Sequence, residues 1–187
     1  MTLSALGIFS AAGAGGGAAG IAAYDLITTT ILGSTTYSVT FDTSALGDYK
    51  HLQIRYVSRS TDDSQTLFAT FNGVTGTSYA THRLFGNGSS MTSDAFTSRA
   101  NLFVGTNGTS NNAANSFGAG VIDILDFSST TKNTTTRVLA GNAGTTASVQ
   151  FQSGLFNNTA AITSMTIFGN TGNLVAGTRF SLYGIRG

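Results

Sequence analysis

The sequence contains no cysteine, no proline and no tryptophan, and only 9% of its residues are charged. Without cysteine, neither a disulfide framework nor a thiolate metal site can form. Without proline, the turns must be made by Gly, Asn, Asp and Ser, which accept positive φ or cap their own backbone. Nine Lys and Arg against eight Asp and Glu leave a formal net charge of +1. This balance gives no electrostatic attraction to nucleic acid or anionic lipid, so neither is predicted as a partner.

The 187 residues are enough for one domain with a real hydrophobic core, and 13 Phe and 6 Tyr supply bulky side chains to fill it. Globular proteins usually carry charge on about a quarter of their residues. Here the polar surface must be built from Thr, Ser, Asn and Gly instead. A surface of this kind suits tight packing against neighbouring subunits.

The stretch Tyr49–Ser60 has the clearest secondary-structure pattern. Leu52, Ile54 and Tyr56 alternate with mostly polar residues. Successive side chains of a strand point to opposite faces, so a period of two predicts a half-buried antiparallel strand. A helix would scatter the same apolar residues around its circumference.

Further segments rich in Ile, Val, Thr and aromatic residues also predict strands. They cover residues 26–32, 36–41, 66–71, 95–104, 118–127, 134–140, 149–156, 162–168 and 179–185. Residues 118–127 and 134–140 are expected to pair as a hairpin, and Ser78–Phe85 is predicted as a short helix. About ten strands at close spacing, with no segment suited to a βαβ unit, indicate an all-β protein. We expect residues 24–187 to form an antiparallel β-sandwich of the jelly-roll type.

Residues 1–23 carry no charge and consist mainly of Ala and Gly. A secretory signal would need a basic region, and none precedes Leu3. The length would suit a transmembrane helix, and Gly13 and Gly17 form a GxxxG motif. So much glycine weakens both the helix and its hydrophobicity, so a membrane span is not favoured.

Gly15, Gly17 and Gly20 fit the GxGxxG fingerprint of a dinucleotide loop, but the strand before it and the amphipathic helix after it are lacking. We therefore favour an extended arm, buried between subunits or against a larger assembly, where glycine allows close approach. The arm residues assigned to assembly are Leu3, Leu6, Ile8, Phe9, Gly13 and Gly17.

No catalytic, metal or cofactor site is predicted. His51 and His82 are the only histidines, and nothing in their spacing brings them together as zinc ligands. No GxSxG motif marks a nucleophilic serine. The best case for an enzyme, a polysaccharide depolymerase, would use carboxylates predicted to lie in loops, namely Asp62, Asp63 and Asp94.

Asp123 and Asp126 are expected on opposite faces of one strand, with Arg137 of the next strand as a partner. A glycosidase needs two carboxylates facing one cleft at a set separation, which this spacing cannot provide within a regular strand.

A sugar site remains an alternative, because exposed aromatic side chains flanked by amides and charged groups bind glycans on β-sandwiches. One candidate patch has the loop 106–116 beside it and comprises Tyr79, His82, Arg83, Phe85 and Asn87. The competing interpretation is that Tyr79 and Phe85 fill one end of the sandwich.

Stretches along essentially the whole chain resemble a group of small structural proteins of tailed bacteriophages, common in cyanophages and other aquatic phages. The stretches are LSALGIFSAAGAGGGAAG, YDLITTTILGS, YKHLQIRYVSRS, FNGVTGTSYA, LFGNGSS, FGAGVIDILDFSSTTKNTTTR and GTRFSLYGIRG. The last is also similar to the final strand of many phage fibre and head-decoration domains.

The resemblance implies a virion protein on the particle exterior, in capsid decoration or in the tail or fibre. It implies other virion proteins as partners and a homotrimer as the oligomer, and it carries no catalytic residues. A receptor-binding module for host surface glycans is the alternative function. The expected location is the virion, after synthesis in the host cytoplasm without a signal peptide.

Overall fold

Twelve β-strands and no helix make up the part of the chain that the computed structural model describes, residues 23–145 and 147–187. The strands are β1 (Tyr24–Ile31), β2 (Ser38–Asp42), β3 (His51–Ser58), β4 (Thr66–Phe71), β5 (Tyr79–Gly86), β6 (Met91–Arg99), β7 (Leu102–Thr106), β8 (Gly118–Leu125), β9 (Thr134–Asn142), β10 (Ser148–Phe156), β11 (Ser164–Gly169) and β12 (Arg179–Ile185). Apart from Ala23, the predicted arm lies outside the described residues.

The strands form two antiparallel sheets. The large sheet has the order β1-β12-β3-β8-β9-β10-β5-β6, and the small sheet has the order β2-β11-β4-β7. Their facing sides enclose one hydrophobic core, so the predicted antiparallel β-sandwich is confirmed. Its jelly-roll type stays a prediction. Among the largest fully buried side chains are Leu52, Ile54, Leu67, Phe71, Ile122, Ile124, Phe156 and Phe180.

Strand β3 lies third in the large sheet, between β12 and β8. Leu52, Ile54 and Tyr56 are all buried, as their alternation predicts, while Arg55 on the other face is exposed. The hairpin predicted from residues 118–127 and 134–140 is also confirmed, since β8 pairs with β9 along its length.

Two sequence-based predictions are wrong. The segment Ser78–Phe85 is not a helix, because β5 pairs with β10 on one side and with β6 on the other. The segment Ala95–Val104 is not one strand but parts of two, β6 in the large sheet and β7 in the small one. In both segments, pairing with strands distant in sequence overrides the local pattern.

Both edge strands of the large sheet are irregular. The pairing of β1 with β12 shifts register between Leu26 and Thr28. The pairing of β5 with β6 shifts between Tyr79 and Thr81, close to Ser98, whose φ is 54°. Such β-bulges twist a strand and interrupt its hydrogen bonding.

Tyr56 links the two sheets through the core. From β3 of the large sheet its hydroxyl donates to the carbonyl oxygen of Thr106 in β7 at 3.1 Å and accepts from the Thr106 amide at 3.0 Å. Its ring fits because Gly105 and Gly120 have no side chain. A Cβ on Gly120 would come within 2.6 Å of the hydroxyl oxygen. Burial raises the pKa of this hydroxyl.

Replacing Tyr56 with Phe leaves a buried amide and a buried carbonyl of Thr106 without the hydroxyl. We expect the free energy of unfolding to fall by about 1–3 kcal/mol, measured by urea denaturation. Tyr37→Phe is the control, because Tyr37 is 59% exposed, and it should change stability by less than about 0.5 kcal/mol. Equal effects of the two substitutions would contradict the proposed link.

The same hydroxyl makes stability pH-dependent. Its folded-state pKa lies above that of the unfolded chain, so its stabilisation is present below about pH 10 and is lost as the pH rises further. Tyr56→Phe should therefore flatten the alkaline fall in melting temperature.

Candidate functional site

Strand β10 has its polarity reversed relative to an ordinary sandwich strand. Gln150 and Gln152 point inwards and are 2% and 1% exposed. Val149 and Phe151 point outwards and are 58% and 53% exposed. A strand of a soluble sandwich normally presents its apolar side chains to the core and its polar ones to water.

Buried polar partners make the inner side possible. The Gln152 side-chain amide donates to the Gln150 side-chain oxygen at 2.5 Å. The Ser148 hydroxyl donates to the side-chain oxygen of Gln65 at 2.9 Å. The Asn142 side-chain amide donates to the backbone carbonyl of the residue that follows β7, at 3.0 Å. Most of the cost of burying these groups is therefore offset by hydrogen bonds.

The outer side forms a continuous apolar surface. Phe151 lies directly opposite Leu84 of β5 on one side and Leu139 of β9 on the other, and Leu139 lies opposite Val121 of β8. We call the exposed members of this surface the apolar face. They range from 49% to 76% exposed and are Leu84, Met91, Leu139, Val149 and Phe151.

Polar and charged groups border the apolar face along the next row of the sheet. Ser153 of β10 lies opposite His82 of β5 and Arg137 of β9. The Arg137 guanidinium donates to Asp123 at 3.2 Å, so the predicted pairing of these two residues is confirmed. The Gln53 side chain donates to the same carboxylate at 2.8 Å. The charges are thus paired with each other at the border.

Between β5, β6 and β10 the outer surface is depressed. The depression has a volume of about 370 Å³, and Phe151, Leu84, His82, Ser93 and Ser153 are among its lining residues. One aromatic ring, two hydroxyls and an imidazole therefore surround a shallow space. These groups can bind a ligand that has both an apolar face and hydroxyls. Arg83 and Asp94 also line the depression and are paired with each other at 2.6 Å.

The structure does not bring the five residues of the predicted glycan patch onto one surface. Tyr79 is a core residue, 1% exposed, and its hydroxyl accepts from the Phe71 amide at 2.8 Å. Arg83 lies on the opposite side of β5 from His82 and bonds Asp94 at 2.6 Å.

The other members of that patch are spread similarly. The Phe85 ring lies 5.0 Å from the Arg83 guanidinium. Asn87 caps the turn after β5, where its side-chain oxygen accepts from the Ser90 amide at 2.8 Å. Of the five residues, His82 and Arg83 line the depression beside the apolar face. Glycan binding itself stays a prediction.

The two histidines lie far apart in the sheet. Strands β8, β9 and β10 separate His51 on β3 from His82 on β5. The imidazole of His51 accepts from the Asp126 amide at 2.9 Å. The sequence predicts Asp126 within the strand, and that prediction is wrong. Asp126 follows β8 and has a φ of 50°.

The carboxylates considered for an enzyme have partners of their own. Asp62 and Asp63 lie between β3 and β4, where the Asp62 side chain accepts from the Asp63 amide. Asp94 lies within β6, not in a loop, and is held by Arg83. Over the described ranges, no group of three or more His, Cys, Asp or Glu could hold a metal ion. Residues 23–145 and 147–187 also include no helix long and apolar enough to cross a membrane.

Comparison with protein-family models, curated proteins and solved structures found no match to this chain. Its membership of a phage family therefore stays a prediction, and the apolar face is the most distinctive surface of the described residues. Sequence reasoning missed it, although Val149 and Phe151 alternate with two glutamines in the sequence.

A matched pair of substitutions tests which side of the sheet is buried. Val138→Thr places a hydroxyl on a side chain that is 1% exposed, and we expect it to lower the free energy of unfolding by about 1–3 kcal/mol. Val149→Thr makes the same change on a side chain that is 58% exposed, and should change stability by less than about 0.5 kcal/mol. Thermal or urea denaturation measures both, and the reverse ranking would contradict the assignment of faces.

Proposed function

We propose that this protein is a structural subunit on the exterior of a tailed-phage particle, in capsid decoration or in the tail or fibre, and acts through protein–protein contacts. The observation that carries the proposal is the apolar face, whose five large apolar side chains are all exposed. Soluble monomers rarely expose contiguous apolar patches of this kind, and such patches mark interaction surfaces.

The order of the strands supports the predicted jelly-roll type. A jelly roll arises when a long hairpin is rolled up, so that its first strand pairs with its last, its second with the one before, and so on inwards. The observed pairs β1–β12, β2–β11, β3–β8 and β4–β7 follow this nested scheme. The hairpins β5–β6 and β9–β10 are additional to it and extend the large sheet.

All five residues of the apolar face lie on these two added hairpins. The eight strands of the roll supply the shared core, while the additional strands carry the surface that has no partner in one chain. Function commonly resides in sites added to a common fold. An assembly role fits an addition that exposes apolar side chains and contains no catalytic constellation.

The resemblance to phage structural proteins supports a location on a particle and a homotrimer, and closed symmetry supports an oligomer without fixing the number of subunits. Identical subunits can cover apolar surfaces of one another around an axis, which a single chain cannot do. The low charge favours this arrangement, because few charged groups need to be desolvated when subunits pack.

Deleting residues 1–20 tests the predicted arm. We expect the truncated protein to keep the β-rich circular dichroism spectrum and the melting temperature of the full chain, but to be absent from purified particles. The full-length chain, produced in the same infected cells, is the control. Normal incorporation of the truncated protein would show that the arm is not the anchor. Counting copies per particle then separates head decoration, with many copies, from a tail component, with few.

A second candidate function, recognition of a host glycan, is favoured by the depression that Phe151, His82, Ser93 and Ser153 line. Aromatic rings can stack on a sugar, and hydroxyl and imidazole groups can bond its hydroxyls. This candidate predicts specific binding on an array of host surface glycans, lost in Phe151→Ala and kept in Tyr37→Ala. No specific binding by the intact chain would exclude it.

A further inference from the structure

We infer that residues 1–22 of one copy pack on the apolar face of a second copy. This inference rests on the proposed assembly function and names the partner of that surface. It starts from two features of one chain, an uncharged Gly/Ala-rich segment that precedes Ala23 and an uncharged sheet face that nothing in the described residues covers.

The position of β1 relates the two features. Tyr24 begins β1, which is the edge strand at one end of the large sheet, and the apolar face lies on the last strands at the other end. Strands β12, β3, β8 and β9 lie between β1 and β10. Five strand spacings correspond to about 24 Å. The 15 residues from Phe9 to Tyr24 can span roughly 50 Å when extended, so the segment has ample reach.

Charged groups stand between the segment and the apolar face of its own chain. The Arg55 guanidinium lies 5.9 Å from the Tyr24 ring and 5.0 Å from the Tyr183 ring. Beyond it lie Asp123 and its partner Arg137. An uncharged segment that crossed this side of the sheet would take those charges out of water without new partners, which is unfavourable. Docking on a neighbouring copy avoids the crossing.

The chemistry of the segment suits the apolar face. Leu3, Leu6, Ile8 and Phe9 offer large apolar side chains, and the glycines after them leave the backbone free to approach a flat sheet. Neither surface carries a charge, so packing them together desolvates none. Contact between different surfaces of identical chains is head-to-tail, and such contacts close into rings when the rotation permits. The inference therefore agrees with the proposed homotrimer.

The absence of cysteine allows a direct test on the full chain. Two single variants, Leu6→Cys and Phe151→Cys, are purified, mixed and oxidised, and disulfide-linked pairs are measured on a non-reducing gel. We expect a mixed dimer, and roughly tenfold more of it than with Tyr37→Cys in place of Phe151→Cys, because docking raises the effective concentration of the two thiols. Tyr37 is as exposed as Phe151 but precedes β2 in the small sheet.

Each other outcome overturns the inference. A further variant carries both Leu6→Cys and Phe151→Cys, and a disulfide that forms only within one of its chains would place the segment on its own subunit. Disulfide-linked dimers formed by two Phe151→Cys chains would mean that two apolar faces pack together. If the mixed dimer is no more abundant than with Tyr37→Cys, the segment does not pack on the apolar face, and the face would then bind another particle protein. If Phe151→Cys has a lower melting temperature than the parent chain, Val149→Cys is used in its place. The proposed function fails separately, if the full chain is missing from purified particles.

Discussion

The hydrogen bonds between Tyr56 and Thr106 fix the geometry on which the rest of the sandwich depends. The side chain crosses from the centre of the large sheet to the last strand of the small one, through space that Gly105 and Gly120 leave open. Because the donor and acceptor belong to one residue of β7, the contact sets both the distance between the sheets and the position of β7 along them. With β7 held there, it packs over the inner sides of β9 and β10.

That position explains why β10 has polar side chains on its inner side. The core-facing residues of β10 meet a strand end rich in Thr and Asn, where Gln65, Asn107 and Asn142 bond one another and Ser148. The hydrogen bonds of this network favour one register, because a slip of one residue would bury Phe151 and expose Gln152. The outer apolar side chains contribute nothing comparable to the fold of a single chain. Nothing in the described residues covers them, which is the basis for the proposed contacts with other molecules.

The sequence predicts best where one face of a strand meets the main core. The predicted residues 66–71 and 179–185 coincide with β4 and β12, and the alternation around Ile54 gives the correct buried face of β3. Prediction from the sequence fails where the conformation of a segment depends on pairing with distant strands. The segment around His82 lacks a consistent apolar side, and its conformation is decided by pairing with β10 and β6. Alternation in β10 separates two sets of side chains, but only the position of β7 determines which set is inside.

The bulges in the two edge strands limit what kinds of aggregate this protein can form. A straight, regular edge would offer its free amide and carbonyl groups to any other chain, and successive chains could then extend the sheet without limit. The register shifts beside Thr28 in β1 and Ser98 in β6 break up that template at both ends of the large sheet. Growth by strand addition is thereby discouraged. In the proposed assembly, contacts between faces close into a ring of fixed size instead of extending into a fibril.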